Sequence, residues 1–253
     1  MRRTGALASL AAGCVLFLSA CGGSSSSTDS NQLIVSAAAS LQTAFSNYAN
    51  DAGFNAKQSF AGSDELAAQI RQGVKPDVFA SANTTLPDEL HKDGLVGKPV
   101  VFATNSLVIA VPKGSSIHSI GDLAKPGTTI AIGDPAVPVG SYTREVLDRL
   151  PSSESKAILG NVRSQEPDVS TIVGKITQGA VDAGFVYITD VVATNGQLEA
   201  IKLPKSLQPN VAYGASVVDG AQNPDEAKRF IDGLLHGKGA AALKQAGFKP
   251  PPG

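Results

Sequence analysis

Residues 33–49 read LIVSAAASLQTAFSNYA, an apolar run that leads directly into a helical pattern. Residues 33–37 are the kind of short apolar segment that forms a buried β-strand. Beyond Ser40 the apolar residues recur three and four positions apart, at Leu41, Ala44, Phe45, Tyr48 and Ala49. This spacing places them on one face of a helix, so the stretch predicts a strand, a polar turn at Ser40 and an amphipathic α-helix.

The same alternation continues along the rest of the chain. Further strands are predicted at residues 59–60, 78–80, 107–111, 129–132, 183–187 and 211–218. Further helices are predicted over residues 64–72, 146–150, 172–176 and 230–235. Strands that alternate with helices indicate an α/β protein, with mostly parallel sheets flanked by helices.

Composition and charge narrow the class of protein. The 253 residues suffice for two small α/β lobes, and the 42% share of hydrophobic residues predicts a packed core. Lys and Arg total 21 against 22 acidic residues, a balance that argues against a nucleic-acid-binding surface. The chain has no HExxH or GxSxG motif, and its three histidines lie far apart in sequence. We therefore expect a binding protein without a cofactor, and not an enzyme.

The first thirty residues are predicted to direct export and anchoring. Two arginines precede an apolar stretch at residues 6–18, and residues 1–20 have the pattern of a signal peptide. Leu18-Ser19-Ala20-Cys21 resembles the lipobox of bacterial lipoproteins, which implies a lipid on Cys21 and a location outside the cytoplasm, anchored to the cell membrane. Residues 21–30 are rich in Gly and Ser and predict a flexible tether.

Polar residues follow several predicted strands at the points where helices begin. Ser40 and Ser63 each stand directly before a helical segment, where serine is a favoured N-cap. Residues 133–142 (GDPAVPVGSY) and 168–170 (DVS) form two more strand-to-helix turns, and Tyr187 ends a predicted strand. The carboxyl ends of parallel strands and the amino ends of helices meet at one edge of a sheet, where backbone N–H groups attract anions. The sequence therefore predicts an anion site at this edge.

Six stretches carry a specific resemblance, in order across nearly the whole chain after the tether. They are residues 37–41 (AAASL), 59–63 (SFAGS), 76–82 (PDVFASA), 105–107 (NSL), 133–142 (GDPAVPVGSY) and 182–187 (DAGFVY). With these motifs the chain resembles the periplasmic molybdate-binding proteins of ABC importers, which have the type II periplasmic-binding-protein fold. The resemblance implies two lobes, each a mostly parallel sheet flanked by helices, with the ligand in the cleft between them.

The resemblance also implies where the lobes lie and how they act. Residues 31–109 and 213–253 would form lobe 1 and residues 110–212 lobe 2, joined by crossovers near 109–112 and 211–214. Closure of the lobes around a molybdate or tungstate ion would present the complex to the membrane permease. The protein is expected to act as a monomer.

The resemblance supplies a set of binding residues, matched position by position. Ser40 and Ser63 correspond to the family's two serine hydroxyls, and Tyr187 corresponds to its phenol. Val139 and Val169 correspond to its backbone N–H donors. These five residues would hold the metal through the molybdate oxygens, without direct ligation.

Neutral donors suit a dianion, because hydrogen bonds to a charged acceptor contribute about 1.5–3 kcal/mol each and can replace its water shell. Asp64 and Glu65 follow Ser63 directly, and we expect them to face solvent, since inward carboxylates would repel the ligand.

Two alternative functions stay open. The ligand could be another oxyanion, such as sulfate or phosphate, or the protein could be an anchored enzyme that acts on a phosphorylated substrate.

Overall fold

The computed structural model describes residues 32–252, so the predicted signal peptide, Cys21 and the tether lie outside the described residues. The strands are β1 (Leu33–Ala38), β2 (Ala56–Ala61), β3 (Val78–Ser81), β4 (Val100–Asn105), β5 (Leu107–Pro112), β6 (Ile130–Gly133), β7 (Val162–Glu166), β8 (Ala183–Tyr187), β9 (Leu198–Lys202) and β10 (Val211–Val217). The α-helices are α1 (Gln42–Ala52), α2 (Ser63–Arg71), α3 (Thr85–Lys92), α4 (Pro138–Asp148), α5 (Ser152–Gly160), α6 (Val169–Thr177), α7 (Ile188–Ala193), α8 (Pro224–Leu235) and α9 (Gly237–Gln245). Two short 3₁₀ helices cover Ala39–Leu41 and Ile120–Ala124. Within this part of the chain, no helix has the length and apolar character needed to cross a membrane.

The strands form two separate five-stranded sheets. The strand order is β2-β1-β3-β10-β4 in the first sheet and β7-β6-β8-β5-β9 in the second. In each sheet four strands share one direction and a single strand opposes them, β10 in the first sheet and β5 in the second. The predicted α/β class with mostly parallel sheets is confirmed.

The chain passes between the two sheets twice. β4 ends at Asn105 in the first sheet and β5 begins at Leu107 in the second, so Ser106 makes the first crossing. The return runs through residues 203–210, between β9 and β10. The lobe boundaries that the resemblance implied, at 109/110 and 212/213, fall inside β5 and β10, whereas each of these strands belongs wholly to one sheet. We therefore place the boundaries at the two crossings.

The opening strand and helix form as the sequence predicts. Phe45 and Tyr48 of α1 are buried, and Phe45 packs edge-on against Phe230 of α8 with ring centroids 5.3 Å apart. Gly53 ends α1 at φ 74°, in the left-handed region that glycine enters without a steric cost. The apolar face of α1 is thus part of the first lobe's core.

The sequence analysis did not predict the two edge strands of the second sheet. β7 (VRSQE) and β9 (LEAIK) lie at the two edges of that sheet. Most of their side chains are exposed or half-buried, so neither strand carries the continuous apolar run that marked β6 and β8. A strand buried on only one face shows alternation at most, which is a weak signal over five residues.

A buried carboxylate joins three distant parts of the first lobe. Asp77, directly before β3, accepts hydrogen bonds from the backbone N–H of Ile34 at 2.7 Å and of Asn223 at 2.7 Å. Its side chain is almost fully buried, with 1% exposure. These hydrogen bonds connect β1 to the start of α8. They lie at the amino ends of the parallel strands, opposite the carboxyl ends that precede the predicted site.

We expect Asp77→Ala to lower the free energy of unfolding by about 2–4 kcal/mol, because it leaves two part-buried N–H groups without their acceptor. Urea denaturation of the mature domain measures the loss. Asp219→Ala is the matched control, since Asp219 is an exposed carboxylate in the same lobe. Equal stabilities for Asp77→Ala and the control would show that the buried carboxylate does not hold these segments together.

Candidate functional site

A small cavity of about 20 Å³ lies where the two lobes meet. The first lobe contributes residues from the ends of β1, β2 and β3, and the second lobe contributes residues from the starts of α4 and α6 and the end of β8. The lining residues are Ala38, Ala39, Ala61, Gly62, Ser63, Ala82, Val137, Pro138, Val139, Asp168, Val169 and Tyr187. Four of the five residues in the predicted set are therefore brought together at this cavity, namely Ser63, Val139, Val169 and Tyr187.

Ser40, the fifth residue of that set, does not line the small cavity. It lines a neighbouring cavity of about 500 Å³, while the preceding residue, Ala39, lines both cavities. The prediction that Ser40 is an N-cap is wrong, because it lies inside the 3₁₀ turn Ala39–Leu41 and its side chain caps no backbone group. Its hydroxyl instead lies 3.0 Å from the phenolic oxygen of Tyr213.

Ser63 has a tertiary partner in place of the predicted cap. Gly62 occupies the N-cap position of α2, so Ser63 is the first helical residue. The Ser63 hydroxyl oxygen accepts a hydrogen bond from the backbone N–H of Ala82, after β3, at 3.1 Å. A hydroxyl that accepts one hydrogen bond keeps its own hydrogen for donation. Ser63 therefore offers a buried O–H donor at the cavity wall.

Two helix starts of the second lobe face the same cavity. α4 begins with Pro138, which has no N–H, and Val139 is the next residue. α6 begins at Val169, and the carboxylate of Asp168 accepts from the N–H of Thr171 at 2.9 Å. The first N–H groups of a helix have no partner within it and form its positive end. The N–H groups of Val139 and Val169 are therefore suited to an anion.

The turn before α4 depends on a glycine. A Cβ on Gly140 would overlap the carbonyl oxygen of Asp134, so only glycine lets the turn fold back this closely on the helix. The same turn is held by the N–H of Val137, which donates to the carbonyl of Asp134 at 3.1 Å. This close packing fixes where the first turn of α4 points.

Tyr187 presents a phenol without a partner. Its hydroxyl is buried, and within residues 32–252 no group forms a hydrogen bond with it. Burial raises the pKa of Tyr187 well above its ordinary value, so the phenol stays protonated and can donate. A buried polar atom without a partner is unusual in a folded protein and marks a position where a ligand can bind.

Two carboxylates lie at or near the cavity, and their negative charge is weakened in different ways. Asp168 is the one charged residue among the described residues that line the cavity, and Thr171 engages both of its carboxylate oxygens. Asp190 follows Tyr187 closely, and burial raises its pKa to about 7, while the Tyr187 N–H lowers it and nearby Asp168 raises it further. Asp190 is thus partly protonated near neutral pH, which weakens its repulsion of an anion.

The two acidic residues after Ser63 behave differently. Glu65 is exposed, as expected. The expectation that Asp64 faces solvent is wrong, because Asp64 is half-buried. One of its carboxylate oxygens is buried and has no hydrogen-bond partner among the described residues. That oxygen packs beside Gly62, where it would lie 2.8 Å from a Cβ on the glycine.

Comparison with known sequences gives consistent matches. The model of the family described as "bacterial extracellular solute-binding protein" matches residues 33–249. The molybdate-binding protein ModA of Mycobacterium tuberculosis is 36% identical over 227 residues, which cover 87% of this chain and 85% of that protein. The molybdate-binding protein ModA of Escherichia coli is 30% identical over 239 residues, with 87% and 90% covered.

Solved structures share the fold. The periplasmic molybdate-binding protein of Azotobacter vinelandii superposes with a TM-score of 0.77 at 22% identity, covering 87% of this chain and all of that one (100%). The sulfate-binding protein SubI of Mycobacterium tuberculosis superposes with a TM-score of 0.74 at 16% identity, covering 87% of each chain. The two-lobed periplasmic-binding-protein fold is thereby confirmed, and proteins named for different oxyanions adopt it.

Gly62 controls how closely the two lobes approach. A Cβ on this residue would overlap the carbonyl oxygen of Pro167 in the second lobe. We expect Gly62→Ala to weaken binding of molybdate, the ligand that the resemblance implies, by about tenfold or more, because the lobes cannot close to this distance. Titration calorimetry with sodium molybdate measures the loss.

Gly160→Ala is the matched control, since a Cβ there would meet nothing within 4 Å. It should bind like the parent protein. If Gly62→Ala also retained the parent's affinity, the close contact between Gly62 and Pro167 would have no part in holding the ligand.

Proposed function

Because the chain belongs to the bacterial extracellular solute-binding proteins, within the ModA group of molybdate-binding proteins, we propose that it captures molybdate or tungstate and delivers it to the permease of an ABC importer. The family resemblance drawn from the sequence motifs is confirmed by these matches. The observation that supports this ligand best is the buried hydroxyl of Tyr187. It has no partner among the described residues, and Tyr187 lines the cavity together with Ser63 and two helix starts.

The size of the cavity favours a small inorganic ion. A volume of about 20 Å³ exceeds the roughly 10–15 Å³ that one water needs, but it is far below the roughly 300–1,000 Å³ of pockets for organic ligands. A phosphorylated metabolite would not fit without separation of the lobes. The cavity therefore favours a compact tetrahedral oxyanion over a phosphoester.

The chemistry of the lining favours an oxyanion that carries no proton. A protonated anion such as hydrogen phosphate must donate to an acceptor. The one side-chain carboxylate among the described lining residues is Asp168, and each of its oxygens already accepts from Thr171. Ser63, Tyr187 and the helix starts offer donors. Donors fixed by both lobes fit one anion radius best, because a smaller ion cannot reach all of them at once. On this basis we favour molybdate and tungstate over sulfate.

The same lining gives no support to the enzyme alternative. Among the described residues that surround the cavity there is no His, Lys or Cys, and the single carboxylate caps α6. A hydrolase acting on phosphoesters would need a base to activate a hydroxyl such as that of Ser63, and the one carboxylate at the cavity already accepts from Thr171 at both oxygens. The protein is therefore proposed to bind and release its ligand unchanged.

Delivery depends on motion between the lobes. Two crossings join them, at Ser106 and at residues 203–210. Each wall of the cavity would therefore move with its own lobe. Closure would bring Ser63 and Tyr187 onto the same ion and change the surface that the permease contacts. We propose that the protein acts as a monomer, tethered to the membrane by lipid on Cys21.

The oxyanion assignment predicts a selective effect on stability. Molybdate and tungstate should each raise the melting temperature of the mature domain, while sulfate at equal concentration should not, because only a ligand that binds the native state stabilises it. Tyr187→Phe should weaken molybdate binding by about ten- to a hundredfold, since it removes one donor to a charged oxygen. Thermal melting and titration calorimetry measure the two effects.

Tyr48→Phe serves as the control, because the Tyr48 hydroxyl donates to the carbonyl of Phe230 in the core of the first lobe, at 3.2 Å. It should retain full affinity. Equal stabilisation by sulfate would contradict the molybdate assignment while leaving the fold intact. An unchanged affinity in Tyr187→Phe would remove the phenol from the site.

Lipid anchoring is tested separately with the full-length chain. We expect Cys21→Ala to move the protein from the membrane fraction to the soluble fraction, because the modified thiol is lost. Immunoblotting of both fractions measures the shift, and the soluble variant should bind molybdate like the parent domain. A variant that remains in washed membranes would contradict the lipobox interpretation.

A further inference from the structure

The motif at residues 105–107 has no role in the predicted ligand set, and the structure places it at the first crossing between the lobes. The Asn105 amide oxygen accepts from the backbone N–H of Ser106 at 2.8 Å. A backbone N–H can only donate, so this contact determines which end of the amide is which. The Asn105 amide nitrogen therefore points in the opposite direction, as a donor.

The two amide hydrogens of Asn105 have separate acceptors. The amide nitrogen lies 2.9 Å from the hydroxyl oxygen of Thr189 in the second lobe. It lies 3.4 Å from the phenolic oxygen of Tyr213 in the first lobe, so each hydrogen has its own acceptor. The second contact is long, but it places a positive N–H edge against the Tyr213 oxygen. The phenolic hydrogen of Tyr213 must therefore point away from Asn105.

Within residues 32–252, the other hydrogen-bond partner of that phenol is Ser40. The Tyr213 and Ser40 oxygens are 3.0 Å apart, and Tyr213 is fully buried. Burial raises the pKa of Tyr213 well above its ordinary value, so the phenol keeps its hydrogen and can donate it to Ser40. Ser40 then acts as an acceptor towards Tyr213, and its own hydroxyl hydrogen is directed elsewhere.

We propose that Tyr213, oriented by Asn105, is a positioning residue that makes the Ser40 hydroxyl a hydrogen-bond donor to the bound oxyanion. This inference rests on the proposed function, since an oxyanion can only accept. It also rests on the resemblance that makes Ser40 a ligand residue, because Ser40 lines the neighbouring cavity and only the adjacent Ala39 lines both. Without Tyr213 the Ser40 hydroxyl could donate its hydrogen to other acceptors. Part of the free energy of molybdate binding would then go into reorienting the hydroxyl. Tyr213 itself lines neither cavity, so it acts through Ser40 and not on the ligand.

A double-mutant cycle tests this role with sodium molybdate as the probe. Tyr213→Phe keeps the ring, and with it the packing against Tyr187 and Phe248 at centroid distances of 5.8 and 5.2 Å. We expect it to raise the molybdate Kd by about three- to tenfold, the effect of one neutral hydrogen bond. In a Ser40→Ala background, the same change should alter Kd by less than about twofold. Titration calorimetry on all four proteins gives the coupling.

The outcomes separate this inference from the proposed function. Parent protein that fails to bind molybdate would contradict the proposed function itself. If the parent binds, equal losses from Tyr213→Phe with and without Ser40 would show a merely structural role and overturn the inference. An unchanged Kd in Tyr213→Phe, or in Ser40→Ala alone, would also overturn it. Tyr48→Phe controls for the loss of a tyrosine hydroxyl and should bind like the parent.

Discussion

Backbone N–H groups in the first turn of a helix have no partner within that helix, and burying them is costly unless another group accepts from them. Here the starts of α4 and α6 are both brought to the interior of the molecule, next to the hydroxyls of Ser63 and Tyr187. Among the described residues that line this point there is one carboxylate, Asp168, and each of its oxygens accepts a hydrogen bond from Thr171. An anion would accept from these donors, which is why we propose that the surrounding elements converge on one.

Two sheets are needed for this convergence, because one sheet presents its helix starts along a line and cannot surround an ion. The crossings at Ser106 and residues 203–210 set the carboxyl ends of both sheets against each other. In each sheet the single opposing strand, β10 or β5, comes directly after one of the crossings. Glycine at position 62 then permits the lobes to touch, because any side chain there would meet the carbonyl of Pro167.

The polar side chains near the cavity divide into donors and residues that orient them. Ser63 is oriented by the backbone of Ala82, which uses its acceptor capacity and leaves its hydrogen. In the proposal above, the Ser40 hydroxyl likewise accepts from the phenol of Tyr213, and Asn105 orients that phenol. We propose that both arrangements leave a serine hydroxyl as a hydrogen-bond donor, which would favour an anion over a cation.

The sequence by itself determined the α/β class and the strand and helix around Ser40, since apolar periodicity and turn chemistry are local properties. The motifs shared with molybdate-binding proteins supplied four of the residues that line the small cavity. The sequence did not determine the partners of those residues. Ser63 looked like a cap because its neighbours in sequence suggested one, whereas its partner lies after β3, 19 residues away. Edge strands such as β7 were missed because burial on one face leaves little apolar signal. Only the tertiary structure decided that Asp64 is partly buried and that Tyr213 lies behind Ser40, because both depend on contacts between segments distant in sequence.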